Sequence, residues 1–236
     1  MLGLLVIIVI SGLLLHFIEK KNIDVLGITP NKNRWTQFMI GVLVITVIVL
    51  TNIVVETLLL RVEWQLRTIN NTLIFDAFYY HLKSALTEDL VFRGALLYIL
   101  IRRIGPTKAI ILSAMIFGVY HWFSYGIIGQ NAVLMAYVFL ITGFTGYVWA
   151  FAFYKTKSIL MGLGFHVGVN FINACFFESQ PYGELIFTEI SRIELKDWNW
   201  LYFNLFKGIF PSVATLIFLK QYLKFNSKTI LRKQNQ

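Results

Sequence analysis

Apolar runs of about twenty residues recur along almost the whole chain, separated by short polar connectors. A run of that length suits one helical crossing of a bilayer, because an α-helix rises 1.5 Å per residue across a hydrocarbon core about 30 Å thick. Such runs fall at residues 1–18, 36–56, 76–101, 107–125, 131–154, 157–177 and 199–222. The composition agrees. Of the 236 residues, 57% are hydrophobic and 14% charged, against about 25% charged in a soluble domain, and mean hydropathy is +0.68. The short alternating segments of a membrane β-barrel are absent from the sequence. The expected fold is all-α, a polytopic transmembrane helix bundle of about seven spans, forming a single membrane domain over residues 1–236.

The net charge of +9 invites a nucleic-acid partner, but the basic residues sit in short loops and the C-terminal tail, with no nucleic-acid-binding motif around them. Their distribution is topological: Lys and Arg gather on the cytoplasmic side of a membrane protein. The connector 19–34, then Arg102, Arg103 and Lys108, then Lys155 and Lys157, then Lys224, Lys228, Arg232 and Lys233 of the tail fall on one side. The acid-rich stretch Glu178–Asp197 falls on the other, and an odd number of spans puts the N-terminus outside. Met1–Phe17 has neither a positive start nor a small-residue cleavage site, so it reads as a retained helix. Cys175 is the only cysteine, which excludes an internal disulfide and a multi-cysteine zinc site.

Several residues read as interfacial. Arg61–Asn71, with Trp64, looks like a segment lying at the membrane surface. Trp122, Tyr125, Trp149, Tyr154, Trp198, Trp200 and Tyr202 lie near span ends and read as an aromatic belt, with Trp122 and Tyr125 also candidates for a substrate entrance. His16 reads as an interfacial end residue; His81, seven residues before Glu88 and on nearly the same helix face, could assist a site there but reads more readily as a rim residue near the interface. Lys207 and Pro211 blur the start of the last span, and Pro211 is expected to kink it or set its beginning.

The third span is the exception to the apolar rule. It contains Glu88-Asp89-Leu90-Val91-Phe92-Arg93-Gly94. Ionisable side chains at bilayer depth are costly, from roughly 2.5 to 3.5 kcal/mol each on insertion scales, and mark functional sites by default. Asp89 and Arg93 are four apart and can pair on one helix face. Glu88 lies about 100° away and keeps its carboxylate available, and a desolvated carboxylate is what a general base near neutral pH needs. Further on, Phe117 and His121 share a face in the fourth span. His166 and Asn170 share one in the sixth, where both can donate hydrogen bonds to one point. Two convergent donors on a rigid helix suit an oxyanion site; they also suit interhelical hydrogen bonding. Gly162, Gly164 and Gly168 permit close helix approach in either case.

Glu-Asp-x-x-x-Arg, Phe-x-x-x-His and His-x-x-x-Asn, in that order on successive helices, resemble the CAAX protease and bacteriocin-processing (CPBP, or Abi) family of glutamic intramembrane endopeptidases. The resemblance covers roughly 80–175, the expected catalytic core. It implies that Glu88 and His121 activate water, that His166 and Asn170 stabilise the oxyanion, and that Asp89 and Arg93 are structural or orienting. Asp89 departs from the family's usual second glutamate and is one methylene shorter. The resemblance further implies no cofactor and no metal, and as substrate a prenylated C-terminus, as in eukaryotic relatives, or a small peptide or membrane protein, as in bacterial ones; the compact size and the many Lys, Asn and Ile residues suggest a bacterial member, hence a multi-pass protein of a bacterial cytoplasmic membrane. Two alternatives stand beside it. Glu88, His121 and His166 could instead ligate zinc, although His-Glu-x-x-His is missing. The chain could also be a non-catalytic membrane scaffold or bacteriocin-immunity protein, since sites rather than folds carry function.

Overall fold

The computed structural model describes residues 2–234, with side chains for 2–225; Met1 and the side chains of Lys228, Arg232 and Lys233 lie outside that range. Helices α1 (Leu2–Leu14, continued by a π turn to Glu19), α2 (Lys32–Leu60), α3 (Asn71–Arg93), α4 (Ala95–Ile104), α5 (Pro106–Ser124), α6 (Ala132–Thr156), α7 (Leu160–Phe176) and α8 (Asp197–Gln234) make the bundle. Local chemistry sets several starts. Asn31, Asn70 and Asn131 each accept a backbone N–H of the first turn of α2, α3 and α6, the preferred N-cap arrangement. Pro106 opens α5, where its missing N–H costs nothing.

The chain is an integral membrane helix bundle. Leu2–Glu19, α2, α6 and Asp197–Phe225 are long and apolar enough to cross a membrane, and α7 is a shorter apolar helix. On α2 the apolar residues run all round: Leu43, Val47, Val54 and Leu58 face outward while Ile45, Val49 and Ile53 are buried. A helix hydrophobic on every side is expected where lipid replaces water. Helix α7 is central, with every residue from Leu160 to Gly168 buried. It lies against α2, where Gly41 and Gly164 let the backbones meet: a Cβ added to either would sit 3.1 Å from the other's Cα.

Two sequence expectations need correction, and one pairing is new. The run 76–101 is not one span. The helix breaks at Gly94 (φ −88°, ψ −131°) into α3 and α4, and a Cβ there would collide with the Leu90 carbonyl. Ser113 of α5 donates to Phe92 O at the break, at 2.8 Å. The polar stretches flanking the bundle contain a short two-stranded sheet that sequence did not suggest. Strands β1 (Glu63–Leu66) and β2 (Phe187–Ser191) pair antiparallel, Trp64 opposite Glu189 and Leu66 opposite Phe187, with a bulge at Glu63/Trp64. Finally, Pro211 does not start the last helix, which begins at Asp197. Proline leaves the carbonyl four residues earlier without its helical donor. That carbonyl belongs to Lys207, and Asn52 Nδ2 of α2 donates to it at 2.9 Å.

Candidate active site

The i, i+4 spacing on α3 brings Arg93 Nε to 2.9 Å from Asp89 Oδ1, with both side chains 2% exposed. The guanidinium lies over the rings of Phe117 (4.1 Å to the centroid) and Trp149 (5.0 Å), so aromatic faces supply part of the charge stabilisation that water cannot. The same Asp89 oxygen lies 3.3 Å from His166 Nδ1 on α7. The shorter acid therefore does reach the neighbouring helix. It ties Arg93 and His166 together and fixes the imidazole plane, which also packs at a tilt against Trp149, 4.3 Å between ring centres and 31° between planes. Glu88 points elsewhere, as its 100° offset requires. Its Oε2 is 3.7 Å from His166 Nε2, an ion-pair distance rather than a hydrogen bond.

His121 Nδ1 lies 2.8 Å from Phe117 O, one turn back on α5. A carbonyl only accepts, so Nδ1 carries the proton and the neutral ring keeps its Nε2 lone pair free. The rings of Phe117 and Tyr125 pack edge-on against it. Glu88, His121, His166 and Asn170, from α3, α5 and α7, line one cavity of about 560 Å³. Asp89 and Arg93 lie behind it and do not line it. A second cavity of about 380 Å³ shares His121, Tyr125, His166 and Asn170, and extends between α2, α6, α7 and α8. Among the described residues, no group of three or more His, Cys, Asp and Glu is placed to hold a metal ion.

Some residues near the site were misread from sequence. His81 is not at the rim. It is 2% exposed, its Nε2 lies 3.1 Å from Pro181 O, and it lines the cavity with Glu88. That is the other of its two readings from sequence, the one its place seven residues before Glu88 on nearly the same helix face offers. Trp149 is not in an aromatic belt but buried against His166 and Arg93. Tyr125 lines both cavities. Glu56 had escaped notice. It is buried on α2, with Lys207 Nζ at 2.7 Å and Arg192 Nη1 at 3.2 Å. A glutamate deep in an apolar run was itself the sign of a buried partner.

Fold and site together define a class: an integral membrane protein with carboxylates and imidazoles gathered around an internal cavity. Residues 70–172 match the family described as Type II CAAX prenyl endopeptidase Rce1-like. The resemblance drawn from the three motifs is borne out over that segment, which holds Glu88, His121, His166 and Asn170. The family is one of proteases, and the match points to CAAX-type intramembrane protease activity. No curated protein and no solved structure matches the chain.

Proposed function

We propose that this protein is an intramembrane endopeptidase that hydrolyses a peptide bond with water as nucleophile. The observation that carries the reading is the single cavity shared by Glu88, His121, His166 and Asn170. Glu88, with no hydrogen-bond partner for its buried Oε2, accepts a proton from the attacking water. The free Nε2 of His121 takes part as a second acceptor and later returns a proton to the leaving amine. Asn170 and His166 donate to the oxygen that becomes the oxyanion. His166 does so when both ring nitrogens carry protons, one directed at Asp89 and one into the cavity. Asp89 and Arg93 act through His166: they are positioning residues.

The protein's basic end joins Glu19 to Arg102 and Arg103 by ion pairs. The cavity is lined instead by Ser124, Tyr125 and Ser179–Pro181, at the opposite ends of α5 and α7. With the basic end cytoplasmic, in a bacterial cytoplasmic membrane, the substrate reaches the site from the outer side. A secreted peptide or the outer part of a membrane protein fits that approach.

The test compares membrane and secreted peptides from cells carrying the wild type or Glu88→Gln at equal membrane abundance. A precursor that accumulates, and a product that disappears, only in Glu88→Gln cells is the expected result. Identical peptide profiles, with the protein's biological role retained, overturn the reading in favour of a non-catalytic scaffold.

A further inference from the structure

The two cavities meet at the site, and five residues line both of them: His121, Tyr125, His166, Asn170 and Gln180. Three belong to the hydrolytic machinery. Tyr125 walls His121, its ring edge-on at 5.1 Å. Gln180 differs from the rest in coming from the loop between α7 and β2 rather than from α5 or α7 themselves. Its backbone N–H donates to Phe177 O at 3.2 Å. Among the described residues its side-chain amide has no hydrogen-bond partner, so that amide is free for whatever enters the cavity.

The loop is built to hold Gln180 in place. Its ends touch: a Cβ on Gly183 would collide with the carbonyls of Phe177 and Glu178, which makes the closed neck of an Ω-loop. Beyond the neck, Leu185 N and Ile186 N donate to Ala174 O and Cys175 O at 3.0 and 3.1 Å, and the Leu185 side chain is buried in a cluster with Ala77 and Ala174. Tyr182 and Glu184 hold left-handed backbone, φ 59° and 56°, which residues other than glycine keep only where surrounding contacts impose it. The tip, Ser179–Pro181, lines the cavity of Glu88. There His81 of α3 donates from Nε2 to Pro181 O at 3.1 Å, and the Tyr80 ring lies 5.5 Å from that of Tyr182. His81 is buried and sits two helical turns, about 10 Å, from Glu88 along α3, too far to share the proton of its water. It acts through the loop instead.

We propose that Gln180 binds the substrate backbone beside the scissile bond, and that His81 is the positioning residue that holds it there. A peptide lying in both cavities passes the five residues common to them. Each of its residues brings one N–H and one C=O, and both lose water on entering, a loss that only new partners offset. A glutamine amide carries donors and an acceptor on one planar group. It therefore takes the N–H and the C=O of a single substrate residue, and fixes the chain against His166 and Asn170 without reading a side chain. The inference rests on the hydrolytic reading above and adds to it how the site grips an extended chain.

The test uses full-length protein in lipid nanodiscs and a membrane-tethered decapeptide, with versions in which one amide N–H at a time, the scissile one excepted, is replaced by an ester oxygen. One ester beside the scissile bond should raise the KM of the wild type about tenfold, the size of a hydrogen bond lost in a cavity, and leave kcat within about threefold. Gln180→Ala should show a similar rise with the unmodified peptide and no further penalty for that ester. His81→Leu should raise KM likewise and speed hydrogen exchange of the loop amides about tenfold or more. His81→Gln, which keeps a donor for Pro181 O, should restore both. Binding of the same peptides to Glu88→Gln protein reads the grip without turnover. Esters that weaken wild type and Gln180→Ala alike overturn the subsite. So does a His81→Leu protein whose loop exchanges like wild type or whose loss lies in kcat alone, and so does Glu88→Gln protein with no affinity for the decapeptide. Discrimination of the ester that depends on Gln180 in binding, with no cleavage by wild type, overturns the hydrolytic reading and leaves the subsite standing.

Discussion

Asp89 serves two partners at once, and that sets up a separable prediction. Replacing it with leucine removes the one anion, among the described residues, within ion-pair distance of Arg93, whose side chain is 2% exposed. Breaking a buried pair from one side costs about 3–5 kcal/mol, because the remaining charge is left uncompensated. The aromatic rings above Arg93 return roughly 1–2 kcal/mol of that at most. The expected fall in unfolding midpoint is therefore on the order of 10 °C for a chain this long. Asp89→Leu also removes the group facing His166 Nδ1. If that contact orients the imidazole for reaction, its loss is worth about 1.5–3 kcal/mol, or roughly ten- to a hundredfold in kcat. The double variant Asp89→Leu/Arg93→Met removes both charges and should recover most of the stability, since apolar replacement of a buried pair is often neutral. It should not recover the rate. Thermal unfolding in detergent and peptide cleavage in nanodiscs, measured on the same preparations, read the two effects. A single variant as stable as wild type, or a double variant whose rate returns together with its stability, refutes the two-partner reasoning.

Gly94→Ala should cost about 1–3 kcal/mol of stability, from a Cβ forced into an occupied space, and should lower cleavage by shifting Arg93 and Asp89; wild-type behaviour in both assays would show that the α3–α4 break tolerates a side chain. Asn52→Leu should cost about 1–3 kcal/mol by leaving the Lys207 carbonyl without a donor. Adding Pro211→Ala restores the helical N–H and should return most of that loss in the same thermal assay. Cleavage should be unaffected by a strong chelator; loss of rate restored by zinc would instead make Glu88, His121 and His166 ligands.

Much of the site follows from spacing within single helices. Asp89 with Arg93, and His166 with Asn170, are i, i+4 pairs, and the helical period alone puts each pair on one face. The same period puts Glu88 off the Asp89 face, which is how the two acids come to differ. What spacing cannot reveal is which helix lies opposite. The contact of Asp89 with His166, the packing of Trp149 against that imidazole, and the Glu56–Lys207 pair all join helices apart in sequence. Trp149 looked interfacial because it lies near a span end, yet the packing of α6 on α7 buries it. The break at Gly94 hid inside a stretch that reads as one span, 76–101: hydropathy reports that a segment enters lipid and is silent about a bend within it. The β1–β2 pairing escaped notice because its strands have four and five residues, too short for an alternating pattern to stand out.

The central claim is that Glu88 is the base of a hydrolytic site. The most direct measurement is single-turnover cleavage of a membrane-tethered peptide by purified wild type and Glu88→Gln in nanodiscs, with the unfolding midpoint of each recorded. Glutamine keeps the shape and removes the proton acceptor. Cleavage should fall by about a hundredfold to ten-thousandfold, the usual contribution of a general base, at an unchanged midpoint. A folded Glu88→Gln protein that cleaves within threefold of wild type contradicts the account.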